Sequence, residues 1–301
     1  MDGRARLVPF LLLSLVAGCS APSSGAPDGY VAEIEQHRAD REERLRGEGS
    51  WLTLTGLHWL KPGENRFGSD PSLPIVLDAE GVPAWAGSFL YDGESVGLKV
   101  APGAEITVND EPAGEGRTLR DDTEDEIDRL GLGRLTFYII ERDGRHGVRV
   151  KDPESPVRTE FRGLDYFPID PGYRIDAAFV RYDEPLEVPI PTVLGTTQNR
   201  IVPGHVEFTL DGEPYTLQPV VGSLEDTELF FIFKDGTSGG ETYGAGRFLS
   251  ADLEDGRAVL DFNKAYNPPC AFTPYATCPL PPRANWLAGR IEAGERKFGE
   301  H

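Results

Sequence analysis

Six polar or aromatic side chains near the carboxyl end are the strongest candidates for a functional site. They come from one predicted hairpin and the loop that follows it: Tyr243, Arg247, Asp261, Asn263, Tyr266 and Asn267. Asp261 and Asn263 are two residues apart, so they share a face if their strand continues. Arg247 lies in the preceding strand, where its guanidinium can pair with Asp261. We expect a polar pocket in which Arg247 binds an anion through two hydrogen bonds and Tyr266 stacks or donates.

The same side chains also have a purely structural interpretation. An ion pair between Arg247 and Asp261 would pin the loop, and asparagine side chains commonly satisfy backbone groups in turns. Because ion-pair networks and binding sites use the same residue types, the sequence leaves both interpretations open. Phe262 and Trp286 are predicted to be core residues rather than site residues.

The loop that carries these residues, 261–286, is predicted to be ordered. Its prolines each fix their own φ and remove a backbone donor, which excludes a helix and a central strand. Its aromatic side chains nevertheless carry too much apolar surface for a solvated linker. We therefore expect this proline-rich loop to pack against the domain and to form a wall of the site.

Recognisable catalytic motifs are absent from the sequence, which has no G-x-S-x-G, no Walker loop and no H-E-x-x-H. The five histidines are isolated, so neither a metal site nor a cofactor is predicted. Two hypotheses besides ligand binding stay open: an envelope hydrolase that uses Asp261 or His205 as its base, and a non-catalytic envelope-assembly protein. An aspartate beside an arginine is held ionised, which counts against Asp261 as a catalytic acid.

The first residues, 1–18, are predicted to be an export signal rather than part of the fold. A short basic region precedes an apolar run, 7–16, that is too short to span a bilayer. The five residues from Leu15 to Cys19 resemble the bacterial lipobox, which implies that Cys19 is lipidated. By resemblance to Gram-negative sorting rules, Ser20 favours the outer membrane. We expect a lipid-anchored protein of the cell envelope that faces the periplasm.

A Ser/Pro/Gly-rich tether, 19–29, is expected to join the anchor to the fold. The formal net charge of −20 argues against nucleic acid, because that affinity depends on Lys and Arg that neutralise phosphates. The expected partners are the membrane, through the lipid, and a small-molecule or envelope ligand. Cys270 and Cys278 remain as an even pair, for which a disulfide is the default in an exported protein.

Hydrophobic periodicity predicts an all-β protein with one amino-terminal helix. The segment 30–50 carries a helical stripe from 30 to 46, with Asp28 as a cap and Gly47 as the stop. Short strands separated by turns predict a β-sandwich over 51–160. A second antiparallel β barrel or sandwich is predicted over 161–301, ending in the proline-rich loop.

Long motifs resemble a bacterial family catalogued as a domain of unknown function (number sixteen eighty-four), over residues 30 to 298. They are Trp51 to Leu60 (WLTLTGLHWL), Phe167 to Pro171 (FPIDP), Gly246 to Leu249 (GRFL) and the stretch that opens at Asp261. The resemblance implies no activity.

Residues 57–140 also resemble a forkhead-associated domain in the spacing of four motifs. These are Leu60 to Gly63 (LKPG), Asn65 to Asp70 (NRFGSD), Ile75 to Leu77 (IVL) and Ile106 to Asn109 (ITVN). Such domains are β-sandwiches that bind phosphothreonine. Here Ser69 stands where their phosphate-binding arginine follows glycine, and their Ser-x-x-His is replaced by Pro83 to Ala86. The resemblance therefore implies the sandwich without the phosphopeptide activity.

Overall fold

The computed structural model describes residues 27–114 and 116–299. The predicted export signal, Cys19 and most of the tether lie outside the described residues. Within them, none of the helices combines the length and the apolar character that a membrane crossing requires.

One long helix, α1 (Tyr30–Arg46), has the bounds that the sequence predicts. Gly47 ends it, and its N–H donates to the carbonyl of Arg44 at 3.3 Å. The predicted cap is wrong, because Gly29 occupies the N-cap position and no side chain caps the helix there. A second helix, α2 (Pro156–Thr159), is a single turn.

Eleven strands form two sheets over residues 54–151. They are β1 (Leu54–Trp59), β2 (Gly63–Gly68), β3 (Ile75–Val76), β4 (Gly87–Tyr91), β5 (Val96–Val100), β6 (Thr107–Val108), β7 (Glu111–Pro112), β8 (Arg117–Leu119), β9 (Leu130–Leu132), β10 (Leu135–Arg142) and β11 (Arg145–Lys151). One sheet has the order β1-β11-β10-β9-β6-β7 and the other has the order β3-β2-β4-β5-β8. We call this part the first unit.

The two sheets of the first unit share one apolar core. Side chains alternate along each strand, so every second residue of both sheets points into the same interior. Phe67 and Phe89 of one sheet stack at 4.7 Å between ring centroids, and Phe137 of the other sheet lies 5.8 Å from Phe67. The first unit is therefore a β-sandwich, as predicted.

Six antiparallel strands form the second unit. They are β12 (Arg174–Pro191), β13 (Thr197–Leu210), β14 (Glu213–Leu217), β15 (Glu228–Phe233), β16 (Arg247–Glu254) and β17 (Arg257–Asp261), in the order β14-β13-β12-β17-β16-β15. Val220, just after the edge strand β14, forms a β-bridge with Phe230 on the other edge strand, β15, so the sheet curls. The all-β prediction is confirmed in both units.

Three prolines lie inside the long strand β12 at positions 185, 189 and 191. Residues 174–178 of this strand pair with β17, and pairing with β13 runs from 178 to 191 with an irregularity between Arg181 and Leu186. Beyond residue 178 the strand has one partner strand among the described residues. Proline is tolerated there because no second ladder needs its missing N–H.

The proline-rich loop is ordered and lies against the sheet of the second unit, as predicted. Three single β-bridges join it or its neighbours to the sheet: Thr192 to Pro279, Phe248 to Tyr266 and Lys234 to Trp286. Phe262 is buried, whereas the Trp286 side chain is 47% exposed, so the prediction of a core role is wrong for Trp286. Its ring instead lies under the guanidinium of Arg283, 4.1 Å from the centroid.

Candidate functional site

Arg247, the predicted anion ligand, is fully buried and bound by the protein itself. Its Nη2 donates to Asp235 Oδ2 at 2.9 Å and to the carbonyl of Ile291 at 2.8 Å, and its Nη1 donates to the carbonyl of Ala293. The predicted pairing of Arg247 with Asp261 is wrong. Burial lowers the pKa of Arg247, and the Asp235 carboxylate opposes that shift. Arg247 thus binds the carboxyl-terminal segment, the residues around Ile291 and Ala293, to β16.

Asp261 and Asn263 do come together, but not on a continued strand, because β17 ends at Asp261 and a 3-10 turn, Phe262–Lys264, follows. Their shared partner is helix α1. The Tyr30 hydroxyl donates to Asp261 Oδ1 at 2.8 Å, and Asn263 Nδ2 donates to the Tyr30 oxygen at 2.9 Å. Burial, strengthened by the Asp261 carboxylate, raises the pKa of Tyr30. These contacts dock the helix on the end of β17.

The remaining three candidates each contact other parts of the chain. Asn267 Nδ2 donates to the carbonyl of Arg296 at 2.7 Å. The Tyr266 ring lies 4.9 Å from the guanidinium carbon of Arg41, and the Tyr243 hydroxyl donates to the carbonyl of Cys270 at 3.0 Å. The structure therefore gives each of these side chains a partner within the protein.

One concavity lies between the two units, and the proline-rich loop forms part of its wall. We call it the interunit cleft. Its volume is about 630 Å³. Its charged lining residues are Asp122, Glu141, Arg142, Asp143, Arg149 and Arg200, and Trp51, Thr277 and Cys278 also line it. The loop lines this cleft, which faces the first unit as well as the second, and its role as the wall of a functional site stays a prediction.

Arg149 gives the cleft its most unusual feature. The residue is 3% exposed, and its guanidinium carbon lies 5.5 Å from the Trp51 ring centroid and 5.9 Å from that of Tyr138. Its Nη2 donates to the neutral Thr277 hydroxyl at 3.2 Å, and its buried Nε has no hydrogen-bond partner. In the described part of the chain no carboxylate oxygen lies within 4 Å of it.

Arg142, by contrast, is already neutralised. Its two terminal nitrogens donate to the two carboxylate oxygens of Asp122, at 2.9 and 2.7 Å. Arg200 projects from β13 on the opposite wall, is exposed and donates to the Gln198 side chain at 3.2 Å. The cleft thus contains two arginines, Arg149 and Arg200, that have no carboxylate partner among the described residues.

Sequence reasoning missed Arg149, although one signal was present. It is the single charged residue between Val148 and Val150 in β11, and the alternation that buries both valines in the sandwich turns Arg149 to the opposite face. That face is covered only when the proline-rich loop packs on it, which sequence periodicity does not reveal.

The two predicted disulfide partners are adjacent but not bonded. The Cys270 N–H donates to Cys278 Sγ at 3.1 Å, and both residues are free thiols. Cys278 is buried against the interunit cleft. Cys270 is half-buried and borders a second concavity of about 480 Å³, which we call the Cys270 pocket.

The two bases of the hydrolase hypothesis have separate environments. His205 Nε2 lies 3.3 Å from Glu207 Oε1, and its ring lies 5.5 Å from that of Tyr182, whereas Asp261 contacts Tyr30. Across residues 27–114 and 116–299, no three His, Cys, Asp or Glu side chains are grouped so that they could hold a metal ion.

The fold defines an all-β protein of two units. Residues 159–296 match the family described as "Protein of unknown function (DUF1684)". The chain belongs to this family, and the matched residues cover the second unit and the proline-rich loop. The predicted motif from Trp51 to Leu60 lies outside the matched stretch.

Solved structures similar to this chain include an uncharacterized protein from gene locus rrnAC0354 of Haloarcula marismortui. It is 38% identical, with coverage of 50% of this chain and 83% of that chain, and the TM-score is 0.41. A second is the forkhead-associated domain of FhaA, solved in complex with the intracellular domain of Rv3910. It is 20% identical, with coverage of 32% and 97% and a TM-score of 0.23. None of the curated proteins matches this chain.

Proposed function

We propose that the protein is an exported, lipid-anchored binding protein whose interunit cleft holds a small anion that bears a carboxylate or phosphate group. The observation that carries this proposal is Arg149. A buried charge that lacks a counter-charge is costly, and proteins rarely keep one without a purpose. A ligand anion in the cleft would supply the missing partner.

The surroundings of Arg149 suit this role. The Arg149 guanidinium lies over the rings of Trp51 and Tyr138 and is almost fully buried, so little side-chain freedom is left to lose on binding. A planar guanidinium matches the geometry of carboxylates and phosphates. The volume of the cleft, about 630 Å³, falls in the range of roughly 300–1,000 Å³ for small-molecule sites. The anion-binding role that the sequence suggested for Arg247 is therefore reassigned to Arg149.

The export part of the proposal depends on residues outside the described range. The basic start, the short apolar run and Cys19 favour cleavage, lipidation and anchoring in the envelope, with the cleft in the periplasm. In that oxidising compartment we propose that Cys270 and Cys278 form a disulfide. Expression in a bacterial host with a radiolabelled fatty acid tests the anchor: the wild type is labelled and sediments with membranes, and Cys19→Ala is neither labelled nor membrane-bound. Label in Cys19→Ala contradicts the assignment.

Binding is tested by titration calorimetry of the full chain with two probes, inorganic phosphate and succinate. We expect the wild type to bind at least one of them. Arg149→Gln should weaken that binding about tenfold or more, because a hydrogen bond to a charged group contributes about 1.5–3 kcal/mol. Arg145→Gln is the matched control: Arg145 lies on the same strand but is exposed and stacks on Trp59, 4.3 Å from the ring centroid.

The stability of the ligand-free protein gives a second readout. If Arg149 is kept for a ligand, Arg149→Met should leave the melting temperature unchanged or raise it, because a well-packed apolar side chain replaces an unpaired buried charge. Wild-type protein that binds neither probe, or Arg149→Gln that binds as the wild type does, refutes the proposal. A melting temperature well below that of the wild type in Arg149→Met would instead assign Arg149 to the structure.

A further inference from the structure

Cys270 and Cys278 occupy unequal positions on the proline-rich loop. Cys278 is 5% exposed and has the Cys270 N–H directed at its sulfur at 3.1 Å. Because the backbone nitrogen and Cβ of a residue are two bonds apart, this contact places Cys278 Sγ beside the Cys270 side chain. Cys270 itself is half-buried and opens to the Cys270 pocket. Cys270 is thus the more exposed residue of the pair, and Cys278 faces the interunit cleft with only 5% of its surface exposed.

We propose that Cys270 and Cys278 are a thiol–disulfide exchange site, in which Cys270 attacks incoming disulfides from the Cys270 pocket and Cys278 resolves the mixed disulfide. The substrate class is a low-molecular-weight disulfide with an apolar or aromatic body. Val193, Leu194 and Phe272 give the Cys270 pocket apolar walls that suit such a molecule. Cys270 lines the Cys270 pocket and Cys278 lines the interunit cleft, so the pair lies between the two concavities.

The electrostatics agree with this division of roles. The adjacent Cys278 thiol lowers the pKa of Cys270, against the opposing effect of burial. The same contact and burial raise the pKa of Cys278. A thiolate, rather than a thiol, is the nucleophile in exchange, so the half-buried Cys270 is the better attacking group.

The exchange balances without any further reactant. The Cys270 thiolate attacks one sulfur of the disulfide RSSR, which breaks the S–S bond, forms Cys270–S–SR and releases RS⁻. Cys278 then loses its proton, its sulfur attacks Cys270 Sγ and a second RS⁻ leaves. The two protein thiols are oxidised to one disulfide, and RSSR is reduced to two thiols, which take up the two protons that the cysteines lose.

The test uses the reduced full chain with Cys19→Ala in every variant, so that Cys270 and Cys278 are the only cysteines that can react. An aryl disulfide reagent that releases a coloured thiolate is added under native conditions, and the product is weighed by intact mass spectrometry. The wild-type pair should release two thiolates per chain and retain no aryl group. Cys278→Ser should release one and retain one aryl group on Cys270. Cys270→Ser should react about tenfold or more slowly, because Cys278 is buried.

Three results would overturn the proposal: no reaction of the native wild-type pair, retention of two aryl groups by it, or equal rates for the two single variants. Addition of the reagent in urea checks that the thiols of each variant are intact. Arg145→Gln, at an exposed position that stacks on Trp59, should exchange at the wild-type rate. The exchange readout needs no anion, so a failure of the anion-binding proposal leaves this test unaffected.

Discussion

Replacement of Arg247 by methionine is the most informative perturbation of the fold. The side chain is completely buried, and its Nη2 lies 2.9 Å from Asp235 Oδ2. Asp235 also accepts hydrogen bonds from the Thr237 N–H at 2.8 Å and the Thr237 hydroxyl at 2.7 Å. In Arg247→Met the Asp235 carboxylate stays buried among neutral donors without its cation, and two carbonyls of the carboxyl-terminal segment lose their donor.

The expected loss is large because one member of a buried ion pair is removed. Such changes destabilise proteins by about 3–5 kcal/mol. For a chain of this size that corresponds to a fall in melting temperature on the order of 10 °C. Arg257→Met is the matched control: Arg257 pairs with Asp176 at 2.7 Å, but the two side chains are 52% and 57% exposed. Its loss should be below about 1 kcal/mol.

Urea denaturation followed by tryptophan fluorescence and circular dichroism measures both variants. Adding Asp235→Asn to Arg247→Met should recover part of the loss, because the uncompensated carboxylate is then neutral. The reasoning is refuted if Arg247→Met unfolds at the same urea concentration as Arg257→Met. If Arg247→Met also keeps wild-type stability but loses anion binding, the original assignment of Arg247 to the ligand site is restored.

Two further predictions concern the buried hydroxyl of Tyr30 and the buried carboxylate of Asp128. Tyr30→Phe should lower the free energy of unfolding by about 1–3 kcal/mol, because Asp261 and Asn263 lose a shared buried partner; the exposed Tyr275→Phe is the control, and equal urea midpoints for the two variants would contradict it. Burial alone would raise the pKa of Asp128, but hydrogen bonds from the Arg120 N–H and the Arg120 and Arg117 guanidinium groups outweigh it and hold that pKa below its usual value. The stabilisation is therefore present above the unfolded pKa of about 3.9 and is lost as the pH falls through the folded pKa. Asp128→Asn should have a lower free energy of unfolding than the wild type at neutral pH, and this difference should become smaller in acid. A difference that does not change with pH would argue against the assignment. The control, Glu126→Gln, changes a side chain that is 80% exposed and should be as stable as the wild type.

Much of the fold was predictable because its signals are local. The helix from Tyr30 to Arg46 has an apolar stripe and a glycine stop, and both lie within the segment itself. The strands alternate and end at turn residues such as Asp143 and Asp255, which adopt positive φ in the structure. The ordered loop was predictable from its composition, since prolines and rings together disfavour both regular structure and solvation.

The site was less predictable because its partners are distant in sequence. Asp261 and Asn263 are joined by a 3-10 turn rather than by a continued strand, and their third partner, Tyr30, is 231 residues from Asp261. The predicted hairpin placed Asp261 opposite Arg247, but in the structure Arg247 pairs with Asp235. Both carboxylates are compatible with the local pattern, and only packing of the sheet and the carboxyl-terminal segment decides between them.

By itself, then, the chain's pattern of residues determined which segments are strand, helix or rigid loop, because those preferences act over a few neighbouring residues. Only the tertiary structure shows that Arg149 is a buried cation without a carboxylate partner among the described residues. Arg149 and Thr277 are 128 residues apart, and the cleft between them exists only after both units and the loop have packed. Whether a buried cation has a carboxylate partner depends on every segment that packs around it, so no single segment of the sequence encodes it.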